Sequence, residues 1–369
     1  MSVQEFAADF ATIASRAPLA PGRSLRWTLI ANPRAGGFTM RSRWNRHRKT
    51  LRAYAEAAGL KPPRPEGAAP SLTARELDYG DGSLGNLGLV ATTRPKHAGE
   101  IVGRLLDEAA ADPGTLHLLA TAGGDGTSLE ALTALFEAPP AIRSRFVVLR
   151  LPMGTGNDGA DDRELSRVLD LLVEPTRIEL GRAVVLATAT PGKGPFVAFN
   201  ILSVGLDAFV THMTNRMKGN LPGDSYKLWV DVATLFYDRV YRIAQMGVTP
   251  YDDAGRPLIG FSDRLLLLAF GASGNRTYGS NKPILPDERN VCAVSQMPLL
   301  KKLALKPYLI SGRHAGLKEV RLFSAARVRI DYSESILAQM DGEAIPLEPC
   351  DFPITISLSE PAIPALKRH

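Results

Sequence analysis

The chain has only two cysteines in 369 residues, Cys292 and Cys350, so there is no disulfide framework to read. They stand far apart, in no metal-ligand or CxxC spacing, and both read as core or buried thiols of a protein in a reducing compartment. Long apolar runs are missing as well. The longest, LLLLAFGA from Leu265, falls far short of the roughly 20 residues that cross a bilayer as a helix, so any meeting with a membrane is expected at its surface. The opening MSVQEFAADFATIASRAPLAPGRS lacks a basic leader followed by an unbroken apolar stretch, so export is not expected and a cytoplasmic location is. The six histidines form no HExxH or other close metal set, and no fixed-period repeat or low-complexity tract is present.

With 45% hydrophobic and 22% charged residues, the composition is that of a globular protein long enough for two domains. The net charge of +6 favours an anionic partner: a nucleotide, an acidic lipid headgroup or nucleic acid. Nucleic acid has net charge alone behind it, with no aromatic-rich recognition motif, and is not expected.

After a polar leader of helical character, LRWTLIANP reads as a strand and the segment from Thr39 to Gly59 as a helix with Trp44, Leu51 and Tyr54 on its apolar side. KPPRPEGAAPSLTARELDYGDGSLGN is dense in Pro and Gly and reads as an irregular or hairpin surface connection. LGLVATT, TLHLLATAGG and FVVLRLPMG are further strands. They alternate with helices, one of which repeats Ile101, Leu105 and Ala109 at four-residue spacing. Such alternation implies a parallel sheet with helices on its faces, whose ligands lie beyond the carboxyl ends of the strands. After one more helix, ELSRVLDLLVE, the pattern changes to β-branched and aromatic runs separated by turns, as in an antiparallel sandwich or barrel. The expected architecture is therefore an α/β domain followed, from a change near residue 160, by a β-rich domain.

The stretch TAGGDGTSLEAL places three glycines and an aspartate between a strand and a helix. A strand ending in glycines and followed at once by a helix collects backbone N–H groups and the positive end of the helix dipole at one point, which attracts phosphate. Gly123, Gly124 and Gly126 are expected to permit positive φ and close approach of a ligand. Asp125 would repel phosphate unless a divalent cation lay between, so it is assigned to magnesium, with Thr127 capping the helix or bonding a phosphate oxygen. NPRAGG (32–37) and LPMGTGND (151–158) put similar turns at the same end of the sheet. Three such turns can surround one polyphosphate.

The order NPRAGG, GGDGT, PMGTGND resembles the diacylglycerol kinase catalytic family, which includes sphingosine, ceramide and bacterial lipid kinases and is related in fold to NAD kinases. TTRPKHA (92–98), FNILSVGLDA (199–208) and MDGEAIP (340–346) look like further family segments. The resemblance implies a cleft between an α/β and a β-rich domain, where Mg-ATP donates its γ-phosphate to a lipid hydroxyl. It also implies that the final strands, 347–369, return to the first, an α/β nucleotide-binding domain over 24–158, leaving 159–346 as the β-rich domain. No Walker sequence and no protein-kinase motif set is present.

Transfer to an alcohol needs an in-line hydroxyl, neutralised phosphate charge and a base. By resemblance Asp341 is the base and Asp158 orients it or assists the metal. Glu343 completes the acidic set, and Gly342 lets the loop turn sharply. Asp-Gly is at the same time a strong hairpin signal. Asn32 and Gly36 are expected to line the nucleotide pocket, with Thr93, Gly154, Thr155, Gly156 and Asn157 nearby.

The chain departs from the family's pattern at three places. Ala35 stands where a serine is common. Gly159 and Ala160 replace an aromatic and a basic residue, and LPDERNVCAVS offers Asp287 and Glu288 without the usual glycine. These bear on the acceptor and on a structural ion more than on the fold. Two basic stretches complete the reading. Arg41, Arg43, Arg46, Arg48, Lys49 and Arg52 form either a solvated face or a contact for acidic lipid or phosphate. KKLALKPYLISGRHAGLK (301–318) suits either a peripheral contact with an acidic membrane surface or a helix packed on the sandwich. The leading expectation is thus a lipid kinase, with an NAD kinase-like enzyme or a nucleotide-binding regulator without catalysis as alternatives, and a homodimer left open.

Overall fold

The computed structural model describes residues 3–14, 24–57, 77–78, 87–174, 176–218, 237–279 and 282–368. Most of the Pro- and Gly-rich connection after Leu60 lies outside them. The chain divides into two units, Met1–Gly181 with Pro361–His369, and Arg182–Glu360.

The first unit is built on a seven-stranded sheet. Its order is Leu77–Asp78, Leu87–Ala91, Ser24–Ala31, Thr115–Gly123, Phe146–Pro152, Ile363–Arg368 and Thr176–Gly181. The strands from Leu87–Ala91 to Ile363–Arg368 are parallel, and the two edge strands are antiparallel. Thr115–Gly123 is buried along its whole length, as a central strand covered on both faces must be. Helix His97–Ala111 lays Ile101, Leu105 and Ala109 inward as the spacing predicts. Its first turn is held from outside: Glu130 accepts the backbone N–H groups of Lys96 (2.7 Å) and Ala98 (3.3 Å), which sets a carboxylate at the positive end of the helix.

The domain limits differ from expectation in three respects, each decided by long-range pairing. Helix Val3–Ala14, read as a polar leader, buries Phe6, Phe10 and Ile13 completely and sets Phe10 edge-to-face with Trp27, so it belongs to the first unit's core. Helix Leu165–Val173 also stays with that unit. Val168, Leu169 and Leu172 enter its core, and the Tyr54 hydroxyl donates to Ser166 O at 3.1 Å and pairs with Asp170. The boundary therefore falls at Gly181/Arg182 rather than after Asp158. The return begins at Pro361, not at 347, because Ile354–Leu358 is hydrogen-bonded between two strands of the second unit.

His47, on helix Arg41–Ala57, is buried in the same core. Burial first, then the neighbouring Arg46 and Arg43 charges, push its imidazole down to about 4. The folded state therefore holds this residue neutral where the unfolded chain, titrating near 6.5, takes up a proton. Its contribution to stability is complete above the unfolded value and is lost as pH falls through the folded one. Thermal unfolding is expected to show stability declining from about pH 6.5 toward about 4 and a shallower decline in His47→Gln. Identical slopes for the two proteins would clear His47 of that role.

The second unit packs two six-stranded antiparallel sheets face to face. One runs Phe261–Asp263, Met246–Tyr251, Arg327–Asp331, Ile354–Leu358, Val184–Ala187, Phe196–Ala198. The other runs Val320–Phe323, Val291–Ser295, Leu265–Gly271, Ile201–Gly205, Ile336–Met340, Glu343–Leu347. Side chains of both, such as Ile330 and Ile356 against Leu268 and Phe270, share one core. The alternate residues Leu267 and Ala269 face the other way, toward Leu305 and Leu309 of helix Leu299–Ser311. Two apolar faces explain why the LLLLAFG strand shows no polar alternation. Of the two cysteines, Cys292 is buried, and burial raises its thiol to about 12. Cys350 is exposed, contrary to expectation: in its short turn the inward side chain is the neighbouring Asp351, which Lys193 and Thr190 bind.

Candidate functional site

In the first unit the three glycine turns are brought into contact. Strand Ser24–Ala31 ends beside Thr115–Gly123, and the Asn32 N–H reaches Ala122 O at 2.9 Å. The Asn32 amide donates to the Thr127 hydroxyl (3.2 Å), while its oxygen accepts the Arg34 N–H (3.0 Å). Asn32 thus ties the first turn to the second and shapes the first as well. Gly37 N–H bonds Met153 O at 2.8 Å, tying the first turn to the third. A side chain on Gly36 would meet the Thr155 hydroxyl at 3.2 Å.

The third turn lies directly on the second. A Cβ on Gly154 would stand 2.5 Å from Gly124 Cα and 2.9 Å from Asn157 Oδ1, while one on Gly123 would strike Thr127 at 2.6 Å. At Gly123 and Gly154 it is space, rather than positive φ, that glycine provides. Gly124 has φ −90°, and none of Gly123, Gly124, Gly126 or Gly154 lies in the left-handed region. In this loop the left-handed residue is Asn157, at φ +59°, whose amide turns back onto Pro152 O at 3.0 Å.

Helix Asp125–Glu137 begins at this junction, so the backbone N–H groups of its first turn point toward the turns. The Asp125 carboxylate accepts the Gly159 N–H at 2.8 Å. Asp158 pairs with Arg163. One oxygen from each converges on the open side of Gly156, at 2.9 Å (Asp125) and 3.2 Å (Asp158) from where its Cβ would be. Two carboxylates at one point beside helical N–H groups suit magnesium, which is bound by one or two carboxylates with substrate phosphates and water completing its shell. Among the described residues no cluster of three or more His, Cys, Asp or Glu forms a protein-only metal cage.

Two residues outside the expected set hold this loop. Arg43, read as part of a charged helix face, sends its guanidinium to Gly154 O at 2.9 Å. Arg150 binds the buried Asp161 through backbone and side chain (2.7–2.9 Å), which returns the loop to its strand. The DD of GADDRE carried a signal for the second, as an acidic pair just beyond a glycine turn. Nothing in local spacing pointed to the first. Thr93 stands at the same sheet end, one strand away, with its hydroxyl 3.3 Å from His97 Nδ1. In that position His97 closes a small turn, and no hydrogen bond joins Thr93 to the glycine turns among the described residues.

In the second unit, Asp341 and Gly342 are the two central residues of the hairpin joining Ile336–Met340 to Glu343–Leu347. Both have positive φ, +45° and +100°, as a two-residue turn of this hand requires. The Asp341 side chain is buried and accepts backbone N–H groups from Phe199 (2.5 Å), Asn200 (3.1 Å) and Ile201 (2.9 Å). Those amides come from FNILSVGLDA, so the two family-like segments of this unit meet. Gln339 accepts the Gly342 N–H (2.9 Å) and donates to Ser203 (2.9 Å), whose hydroxyl donates to Asp207 (2.7 Å). Asn215 donates to Gly342 O at 2.8 Å. Gln339, Ser203, Asp207 and Asn215 were not singled out from sequence as site residues, because the bonds that join them to the hairpin, Gln339 to Ser203 and Asn215 to Gly342, span more than a hundred residues. Glu343 is exposed at the start of the second hairpin strand. Asp287 and Glu288 are engaged by Arg289 and Asn275 respectively.

Residues 26–184 match the family model of the diacylglycerol kinase catalytic domain. The resemblance read from the motifs therefore holds over these residues, which include all three glycine turns. No curated protein matches the chain. Three solved structures from Bacillus anthracis str. Sterne are similar to it. One is of a diacylglycerol kinase, at 15% identity and TM-score 0.53, covering 94% of this chain and 97% of that one. Two are of candidate diacylglycerol kinases, each at 17% identity: one with TM-score 0.56 and coverage of 92% and 96%, the other with 0.55 and coverage of 94% and 98%. At these identities they show a shared fold over nearly the whole length, an α/β unit followed by a β-rich one.

Proposed function

We propose that the chain is a lipid kinase that transfers the γ-phosphate of Mg-ATP to the hydroxyl of diacylglycerol or a similar long-chain alcohol. The observation that supports this best is the meeting of the three glycine turns, with the carboxylates of Asp125 and Asp158 converging beside Gly156. The phosphates would lie on the N–H groups of the first turn of helix Asp125–Glu137. Asn32, Gly36, Gly124, Gly154 and Thr155 would form the surrounding wall.

Magnesium held by Asp125, with Asp158 assisting, would neutralise the phosphate charge. Asp341 is the proposed acceptor of the hydroxyl proton. The three backbone donors hold its carboxylate in one orientation, and in a loose phosphoryl-transfer transition state the hydroxyl keeps its proton until late. Glu343, exposed beside the turn, is proposed to assist at the acceptor.

The purified protein is to be incubated with γ-labelled ATP, magnesium and a panel of diacylglycerol, sphingosine, ceramide, monoacylglycerol and NAD. Label is expected in one lipid. Label in NAD would replace the lipid reading, and tight ATP binding with no product would leave a regulator.

A further inference from the structure

Helix Leu299–Ser311 is apolar on two sides, unlike an ordinary surface helix. Leu305 and Leu309 face inward onto the sandwich, yet the outward side is apolar too. Leu299, Leu300, Leu303, Tyr308 and Ile310 are 45%, 80%, 45%, 44% and 42% exposed. The lysines nearest them are turned aside: Lys301 binds Glu319 at 2.5 Å, and Lys302, nearly covered, binds Asp238. Both neighbouring carboxylates are thereby neutralised. The twenty residues Leu299–Lys318 contain five Lys or Arg and no Asp or Glu, and Arg313 and Lys318 are exposed just past the helix. An apolar face with exposed cations at its end, its neighbouring acids Asp238 and Glu319 already paired with Lys302 and Lys301, is complementary to an acidic lipid surface.

We propose that this face docks on a membrane surface carrying acidic phospholipid, with the helix lying in the plane of the interface. At 13 residues it extends about 20 Å, too short to cross, and among the described residues no helix is long and apolar enough to do so. Tyr308, part ring and part hydroxyl, suits the headgroup level. A second copy of the chain fits less well, because a two-fold contact would set each cationic end near its own equivalent. The proposal rests on the helix itself and does not depend on the kinase reading.

Sedimentation of the full-length protein with vesicles separates the possibilities. One set is phosphatidylcholine alone, and the other is phosphatidylcholine mixed with phosphatidylglycerol. The wild type is expected to partition onto the mixed vesicles, and Leu300→Asp/Leu303→Asp to lose about tenfold in that partition. Arg313→Gln/Lys318→Gln is expected to lose several-fold on mixed vesicles alone. Both double variants should melt like the wild type, since the replaced side chains point outward. Wild type left in the supernatant with mixed vesicles would overturn the proposal, as would wild-type partition of Leu300→Asp/Leu303→Asp. A wild-type dimer by light scattering that this variant makes monomeric, without vesicle binding by either, would assign the face to a second copy instead. Phosphorylation of a water-soluble short-chain acceptor is read in parallel, so a failed kinase assignment and a failed docking assignment give different results.

Discussion

Asp341→Asn is expected to reduce lipid phosphorylation by between about a hundredfold and ten-thousandfold while nucleotide affinity stays within a few-fold. The substitution removes the negative charge and the proton-accepting oxygen from the hairpin. It also turns an amide NH2 toward a site now filled by the N–H groups of Phe199, Asn200 and Ile201. A buried backbone donor left without an acceptor costs about 1–3 kcal/mol, so some loss of thermal stability is expected as well. Gln339→Ala separates the two effects. It keeps the carboxylate but deprives Gly342 N–H of its acceptor and Ser203 of its donor, and it should soften the hairpin with a much smaller loss of turnover. Near-normal turnover in Asp341→Asn would take the base role from this residue. Equal losses in the two variants would point to the shape of the hairpin rather than to its charge.

Gly154→Ala is expected to weaken ATP binding by about tenfold or more. A methyl group there would lie 2.5 Å from Gly124 Cα and 2.9 Å from Asn157 Oδ1, and the first of these is backbone that no rotamer change can move aside. The two turns must separate, which displaces the start of helix Asp125–Glu137 and shifts Asp125 relative to Asp158. Overpacking of this kind costs about 1–3 kcal/mol, which the unit should survive folded. Calorimetric titration with Mg-ATP, alongside a melting curve, reads both quantities. Gly342→Ala, on the hairpin of the other unit, provides the contrast: it should leave ATP affinity unchanged while lowering turnover. Wild-type affinity in Gly154→Ala would mean that contact between the second and third turns does not shape the nucleotide site.

Much of the architecture could be read along the chain because its signals are local. Alternation of apolar strands with helices of period 3.6 marked the first unit, and turn-separated β-branched runs marked the second. The Asp-Gly pair at 341–342 is a hairpin in the structure for the reason visible in its two residues: both adopt positive φ. The leader helix was misjudged because its Phe6, Phe10 and Ile13 are spaced among alanines and charges, and only the sheet they pack on reveals them as core.

The sequence by itself determined the order of helices and strands in the first unit, the change to β-rich structure after it and the three glycine turns, because backbone freedom, helix periodicity and strand alternation depend on neighbours a few positions apart. It did not reveal strand Met246–Tyr251 or helix Leu206–Lys218. Tertiary structure alone decided that Ile363–Arg368 and not the preceding strand returns to the first unit. It also decided that Gly123 and Gly154 serve contact rather than φ, that Arg43 supports the third turn, and that Asp341 is held by amides more than a hundred residues away. These facts depend on which strand edges and loops meet across long stretches of chain, and the free energy that selects such meetings comes from burial and pairing summed over whole sheets, which no local window contains.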